Sequence, residues 1–426
     1  MITIKRNDNN PYVSYARLAL KRMGYETDET NSYFGETLEK LIMSVQTENG
    51  ISPDGIVGER TWDVFTPYLK GYTTEIIKPT MTFYKLAEKY KTTVERIKTA
   101  NPEVNESNLT IGQRIVIPFG FSIVPTNIAY TYELSSILTD GLSVRYPFIV
   151  AGSAGQSVMG HELDFITIGT GTTHVFYNAS HHANEWITTP LLFKFIEDYC
   201  EAYATNGEIG GLSAERLYNG KRLTVIPLVN PDGVDLVNGA IAENSVYYEG
   251  AKVISEKYPS IPFPNGWKAN ILGTDLNLNY PAGWENAKKI KYSQGYTTPA
   301  PRDYVGTAPI SAPESGAVYR FTQKNNFSLT LSYHTQGEVI YWKYLDCNPP
   351  RALDIGRELS RVSGYALELT PSESGYAGYK DWFIYYYDLP GYTIEVGKGK
   401  NPLPITQFEK IYADNLPLLV TALDMA

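Results

Sequence analysis

Hydrophobic positions in the first seventy residues recur at helical spacing. Val13, Ala16 and Leu20 form one apolar stripe, and Gly24 follows where the helix is expected to end. A second stripe runs through LEKLIMSV, and the turn PDGIVGERTW leads into a third helix. The pattern predicts a small all-α domain over residues 1–71.

The pattern changes over residues 72–119. The stretches TTEIIKPTMTFYKLAEKY, TTVERIKTANPEV and LTIGQRIVIP show two short helical patterns flanked by short strands, with Leu86, Val94 and Ile97 facing inward. Short strands around a pair of helices predict a small α+β module.

The rest of the chain, residues 120–426, alternates strand-like and helical patterns. The apolar runs HVFYNAS, RLTVIPLVN, FSLTLSY and GYTIEVG are separated by helical stretches such as EWITTPLLFKFIEDYCEAYA. Such alternation is typical of an α/β sheet with helices on its faces. The last stretch predicts a closing helix, interrupted or kinked at Pro417.

Composition narrows the classes of function. The net charge of -9 opposes any general attraction to nucleic acid or to an anionic membrane surface. Two cysteines are too few for a disulfide framework. The start of the chain lacks signal-peptide features, and no apolar run reaches the length of a membrane span. We therefore expect no membrane insertion, and a protein that stays inside, leaves by a non-standard route, or has been trimmed.

Four polar residues stand at the carboxyl ends of three apolar runs. His182 and Glu185 follow HVFYNAS, His334 follows FSLTLSY, and Glu395 follows GYTI. Open α/β sheets place their chemistry at this edge, and a catalytic zinc takes three ligands from histidine and carboxylate side chains. The pattern predicts a zinc site beside a catalytic carboxylate, with His181 as the rival for the first ligand.

Five ordered motifs, HHANEWITTP, NPDGV, TDLNLNYPAGW, LSYHTQ and YTIEVG, resemble the zinc carboxypeptidase family over most of residues 121–426. The resemblance implies a carboxypeptidase-like mixed sheet with helices on both faces, and metal-assisted amide hydrolysis. His182, Glu185 and His334 match the family's Zn²⁺ ligands. Glu395 matches the general base that takes a proton from the attacking water and passes it to the leaving amine.

The same resemblance assigns three supporting residues. Asp275 matches a carboxylate that orients the first zinc histidine, and Asn277 matches an anchor for the substrate backbone. Lys268 falls where the family often has an arginine that stabilises the oxyanion. His161 and His174 are interpreted as ordinary strand or surface histidines.

The sequence also departs from the family. Exopeptidases hold the terminal carboxylate of the substrate with an arginine at the position of Leu278, and an apolar side chain cannot pair with a carboxylate. Lys380 lies near the position that tunes the pocket for the residue after the scissile bond, and predicts an acidic group there unless it is a solvated surface lysine. Glu373 stands at the position of the mobile tyrosine, so Tyr376 is the nearest substrate-binding candidate.

The two N-terminal modules carry resemblances of their own. YFGETLEKLIMSVQTENG and SPDGIVGERTW resemble the three-helix peptidoglycan-binding domain, and residues 72–119 resemble a LysM module, which binds glycans that contain N-acetylglucosamine. The alternative is that both are packing appendages. The expected partners are the glycan and the stem peptide of peptidoglycan; the sequence makes no prediction of oligomeric state.

The whole combination resembles the bacterial γ-D-glutamyl-L-diamino acid endopeptidases, which cut stem peptides before meso-diaminopimelate. It implies a cytoplasmic, spore-associated or cell-wall-associated enzyme, with sporulation or the recycling of muropeptides as the setting. Two alternatives stay open. One is a conventional zinc carboxypeptidase that trims C-terminal residues, and the other is a non-catalytic protein that binds the wall or the spore coat.

Overall fold

The computed structural model describes residues 1–426, which divide into two compact units. The first unit comprises Met1–Ala129 and Glu133–Val150, and the second comprises Tyr130–Tyr132 and Ala151–Ala426. The finer division into domains at residues 1–71, 72–119 and 120–426 stays a prediction.

The first unit begins with three helices, α1 (Pro11–Met23), α2 (Glu36–Glu48) and α3 (Glu59–Lys70). The side chain of Asn10 caps α1 by accepting a hydrogen bond from the backbone N–H of Tyr12, and Gly24 ends the helix with a left-handed φ of 103°. These local features fix the bounds that the apolar stripe predicts.

The next segment of this unit consists of β1 (Tyr72–Ile76), α4 (Phe83–Lys89), α5 (Val94–Ala100) and β2 (Arg114–Pro118). The two strands pair antiparallel, and Leu86 and Ile97 are buried between helices and sheet. A longer helix, α6 (Tyr132–Arg145), lies in this unit from Glu133 onward. The predicted order of strand, helix, helix and strand is confirmed.

The second unit contains the larger sheet and most of the helices. Its strands are β3 (Val150–Gln156), β4 (Glu162–Ile168), β5 (Thr173–Ala179), β6 (Glu208–Ile209), β7 (Leu212–Ser213), β8 (Lys221–Ile226), β9 (Phe327–His334), β10 (Val339–Tyr341), β11 (Ala366–Glu368) and β12 (Gly391–Glu395). Its helices are α7 (Thr188–Ala204), α8 (Ala214–Gly220), α9 (Pro231–Val237), α10 (Val246–Ser255), α11 (Trp284–Ser293), α12 (Pro313–Lys324), α13 (Ala352–Ser363), α14 (Tyr379–Tyr387) and α15 (Phe408–Met425).

Eight strands form a mixed sheet in the order β11, β10, β12, β9, β5, β8, β4, β3. The four central strands β12, β9, β5 and β8 are parallel, whereas β10 and β4 run antiparallel to their inner neighbours. Helices pack on the sheet, and Phe176 of β5 stacks on Phe327 of β9 within one buried cluster. This architecture confirms the predicted fold class.

The closing helix α15 continues through Pro417, so it is not interrupted there. No helix of the protein combines the length and the apolar content that crossing a membrane requires.

Glu314, in the first turn of α12, is a carboxyl group that is fully buried in the second unit. Burial raises its pKa to about 7, and the nearby charge of Asp232 adds to the effect. The Glu314 oxygens accept hydrogen bonds from the backbone N–H of Val158 and from Nδ2 of Asn270, which partly offset that rise. The folded protein therefore holds a proton here that the unfolded chain releases at lower pH.

Stability should fall as pH rises between 4.5 and about 7, because the folded state binds more protons than the unfolded chain over that range. Glu314→Gln should remove the part of this slope that Glu314 contributes, which amounts to about 3 kcal/mol at most. Urea unfolding at about pH 5 and about pH 8, compared between wild type and variant, measures it. Glu285→Gln, which replaces an exposed glutamate in the first turn of α11, is the control, and a slope as steep in Glu314→Gln as in wild type would contradict the assignment.

Candidate active site

The parallel strands of the second unit bring the predicted site residues to one edge of the sheet. In the register of the ladder, Glu395 at the end of β12 stands beside His334 at the end of β9, and Ala179 at the end of β5 stands beside Tyr333. Ser180 then takes a left-handed φ of 54°, which ends the strand. The 3₁₀ turn that follows carries Glu185.

Three side chains converge as a candidate metal centre. Nδ1 of His182 lies 3.0 Å from Oε1 of Glu185, Nδ1 of His334 lies 2.9 Å from Oε2 of Glu185, and the two Nδ1 atoms are 3.2 Å apart. Tetrahedral zinc, with bonds of about 2.0–2.2 Å, holds its ligands about 3.3 Å apart. The donor set and its spacing therefore fit Zn²⁺, and all three residues are buried.

Asp275 orients the first of these histidines. Its Oδ1 lies 3.0 Å from Nε2 of His182, which places the ring proton on Nε2 and leaves the Nδ1 lone pair for a metal. Burial disfavours protonation of His182, but the charges of Glu185 and Asp275 outweigh it and raise the pKa to about 9 in the metal-free protein. Burial acts against the Asp275 charge too, yet His182 holds the pKa of Asp275 well below its usual range.

Asp275→Asn should weaken zinc binding by about 10–100-fold, since the amide keeps the shape but removes the charge that holds the imidazole. Competition with a chromogenic chelator measures the affinity directly. Asp346→Asn, a substitution of an exposed aspartate, is the matched control. An unchanged zinc affinity in Asp275→Asn would show that the orientation of His182 does not depend on this carboxylate.

The NPDG segment holds the loops of the site together. Nδ2 of Asn230 donates to the backbone carbonyls of His181 and Ala269, and Oδ1 of Asn230 accepts from the backbone N–H of Gly233. A Cβ atom at Gly233 would lie 2.7 Å from the carbonyl oxygen of Ala269, so only glycine fits this approach. Asn230 thereby links the end of β5 to the loop that carries Lys268.

Lys268 and Glu395 flank the candidate metal centre. Nζ of Lys268 lies 3.0 Å from Oε1 of Glu185, which compensates the charge of that buried carboxylate. Burial, followed by the nearby charge of Glu185, raises the pKa of Glu395 in the metal-free protein. Glu395 is not one of the three converging ligands, so its carboxyl group is free to act as a base.

Two cavities meet at this centre. The first is lined by all three candidate ligands together with Asn277, Leu278 and Lys380, and the second extends past Asn184 and Asn401. Four residues line both cavities and mark the junction between them: Lys268, Arg302, Tyr341 and Glu395.

The predicted substrate-binding residues fall in different places. Asn277 lies in the first cavity, with Nδ2 3.4 Å from Nε2 of His334. Lys380 also lines that cavity, but it is buried beside Asp381. Tyr376 packs in an apolar cluster with Leu278 and does not line either cavity. The roles of these residues stay predictions.

The remaining histidines lie outside the candidate metal centre. His181 is fully buried, and its Nε2 lies 3.0 Å from the hydroxyl of Tyr280. His174 contacts Thr224, and Nδ1 of His161 lies 2.9 Å from Oδ1 of Asp232. The structure thus directs His181 away from the three ligands.

Sequence reasoning missed several polar residues of the site. Oε2 of Glu185 accepts from the backbone N–H of Thr335, and Oε1 lies 3.5 Å from Nδ2 of Asn401. Arg302 and Asp303 line the first cavity from a loop without periodic pattern. The only sequence signal for them is a pair of opposite charges in PRDY, which is too common to indicate a site.

Curated relatives match about two thirds of the chain. The chain is 43% identical over 295 residues to gamma-D-glutamyl-L-diamino acid endopeptidase 1 of Lysinibacillus sphaericus, covering 68% of this chain and 72% of that protein. It is 39% identical over 280 residues to the uncharacterized protein YqgT of Bacillus subtilis (strain 168), covering 65% and 73%.

Solved structures share the fold at low identity. Thrombin-activatable fibrinolysis inhibitor superposes with a TM-score of 0.56 at 15% identity, covering 83% of this chain and 98% of that one. Carboxypeptidase A from Helicoverpa armigera gives a TM-score of 0.51 at 15% identity, covering 92% and 96%. These likenesses concern the fold alone.

Family models divide the chain in the predicted order. The peptidoglycan binding domain matches residues 9–65, the LysM domain matches 78–118, and the zinc carboxypeptidase model matches 137–417. The last match spans most of the chain and agrees with the His-Glu-His group, which confirms Zn²⁺ as the predicted cofactor. The chain belongs to the zinc carboxypeptidase family.

Proposed function

We propose that this protein hydrolyses the amide bond between γ-D-glutamate and meso-diaminopimelate in peptidoglycan stem peptides. The observation that carries the proposal is the 43% identity, over 68% of the chain, to an endopeptidase named for this linkage. The peptidoglycan binding and LysM domains support it, since both are suited to holding the wall polymer that bears the stem peptide.

Leu278 supports an endopeptidase over a conventional carboxypeptidase. Its side chain is buried in a cluster with Trp284 and Val305, and it stands where exopeptidases of the family place an arginine. An apolar residue offers no hydrogen bond to a terminal carboxylate. Leu278 therefore cannot supply the contact by which exopeptidases of the family recognise a free C-terminus.

In the proposed mechanism, a zinc ion held by His182, Glu185 and His334 supplies Lewis acidity when bound. Glu395 takes a proton from the attacking water and delivers it to the nitrogen of the leaving diaminopimelate. Lys268 places a positive charge beside the carbonyl oxygen as negative charge develops there.

Lys380 is proposed to contact the diaminopimelate side chain. Its ammonium group already has three partners: the carbonyl of Lys343 at 2.8 Å, Oδ1 of Asp381 at 2.5 Å, and Oγ1 of Thr370 at 3.3 Å. A substrate carboxylate must displace one of them, and the long contact to Thr370 is the weakest. Tyr376 would have to move with its loop to reach substrate.

Muropeptides released from the wall are the proposed natural substrates, and sporulation or wall recycling in a bacterium is the proposed setting. A cytoplasmic, spore-associated or wall-associated location fits this role. The two N-terminal domains are proposed to keep the enzyme on glycan while the second unit cuts the peptide.

The direct test is incubation with L-Ala-γ-D-Glu-meso-diaminopimelate. We expect release of L-Ala-D-Glu, which mass spectrometry detects. The release should stop when a chelator removes the metal and should return when Zn²⁺ is added. An α-linked peptide with a free C-terminus serves as the competing substrate. Trimming of that peptide while the γ-linked one stays intact would favour a conventional carboxypeptidase and overturn the proposal.

A further inference from the structure

Arg302 is a cation at the junction of the two cavities that the proposed mechanism does not use. Its side chain is 43% exposed and lines both cavities. Nε donates to Oδ2 of Asp303 at 2.6 Å. No protein acceptor contacts the two terminal guanidinium nitrogens, so one end of the group retains its donors for a ligand.

Asp303 fixes the position of this guanidinium. Its Oδ1 lies 2.6 Å from Nζ of Lys291, and its backbone N–H donates to Oδ2 of Asp275. Lys291 and Asp303 are both shielded from solvent, with side-chain exposures of 9% and 14%. Arg302 is therefore held in place by Asp303, which itself contacts Lys291 and Asp275.

The other cations of the first cavity have carboxylate partners at close range. Lys268 pairs with Glu185, Lys291 with Asp303, and Lys380 with Asp381. Arg302 shares Asp303 with Lys291 and uses only Nε to do so. Of the two cations that line both cavities, Lys268 is already used by the proposed mechanism, and Arg302 keeps both terminal guanidinium nitrogens for an anionic substrate.

We propose that Arg302 binds the free α-carboxylate of the γ-linked D-glutamyl residue, an inference that rests on the proposed function. In a γ-linked substrate this carboxylate is separated from the scissile carbonyl by only three carbon atoms. An ordinary α-linked peptide has a neutral amide near that position. The planar guanidinium matches a carboxylate with two parallel hydrogen bonds, so Arg302 selects γ-glutamyl over α-linked acyl groups.

The test compares three peptides that differ by one amide. They are L-Ala-γ-D-Glu-meso-diaminopimelate, the analogue with the D-glutamyl α-carboxylate amidated, and the analogue with the side-chain carboxylate of diaminopimelate amidated. Wild type should cleave the first analogue with a kcat/KM lower by about 10–100-fold, the range for a hydrogen bond to a charged group. Arg302→Met should lower kcat/KM for the parent peptide by a similar factor, mainly through KM.

The decisive result is that Arg302→Met no longer discriminates between the parent peptide and the α-amidated peptide. Arg302→Met should cleave the parent and the α-amidated peptide at nearly equal rates, and Arg302→Lys should be intermediate. The variant should keep its zinc content and melting temperature, because Asp303 stays paired with Lys291. Arg357→Met, an exposed arginine of α13 that lies 3.8 Å from Asp354, is the control and should match wild type on all three peptides.

Other outcomes overturn the inference in distinct ways. An equal loss on the parent and the α-amidated peptide would mean that Arg302 supports the fold of the site. If Arg302→Met loses only the discrimination between the parent and the diaminopimelate-amidated peptide, Arg302 contacts the leaving group instead of the D-glutamyl residue. If wild type cleaves both acyl variants equally well, no carboxylate is recognised there. If wild type cleaves none of the peptides, the proposed function fails together with the inference.

Discussion

Replacing Glu395 with glutamine is expected to lower kcat for the γ-D-glutamyl peptide by about 10²–10⁴-fold, the usual share of a general base and acid. The amide has nearly the size of the carboxyl group but cannot accept the proton of the attacking water. Since Glu395 is not among the three converging ligands, the variant should still bind about one zinc per chain. Peptide hydrolysis and elemental analysis on the same preparation measure both quantities.

The control for this experiment is Glu368→Gln. Glu368 also ends a strand of the same sheet, but it is exposed and lines neither cavity. It should leave kcat unchanged. If Glu395→Gln retains most of the activity, another group is the base. If it loses zinc, Glu395 belongs to the metal-binding set.

The pattern of apolar runs in the sequence predicted that site residues far apart along the chain meet at one edge of the sheet. His182, His334 and Glu395 each follow an apolar run, and parallel pairing of β5, β9 and β12 brings those ends to one edge. The apolar alternation specifies strands, and the crossover helices between them make the strands parallel. The spacing of the three converging ligands is therefore a consequence of topology that sequence pattern indicates well.

Residues on irregular loops were not predictable in the same way. Arg302, Asp303 and Asn401 reach the site through segments without helical or strand periodicity, so nothing in their spacing indicates where they point. The ion pair of Lys380 was also not predictable from the sequence. Its position next to Asp381 is visible in the sequence, yet adjacent residues on a helix diverge, and the ion pair depends on how α14 begins.

Replacing either histidine of the candidate metal centre with alanine should abolish zinc binding and hydrolysis together. In the proposed site each ring supplies one of only three protein ligands, and a catalytic zinc site rarely holds its ion with two. After dialysis, His182→Ala and His334→Ala should contain well under one zinc per chain. His174→Ala removes a histidine of β5 that contacts Thr224 instead of the centre, and should keep both zinc and activity. Full activity in either ligand variant would contradict the assignment.

His334→Ala should also unfold at a lower temperature than wild type when both proteins are free of metal. Without metal, Glu185 is still surrounded by His182, His334, Lys268 and the N–H of Thr335, so its buried charge stays compensated. His334→Ala removes one of these partners from a carboxylate that is 1% exposed, at a cost of about 1–3 kcal/mol. Thermal unfolding in excess chelator should therefore give His334→Ala a lower midpoint than wild type. An equal midpoint would show that metal-free Glu185 does not depend on His334, and that this histidine serves zinc alone.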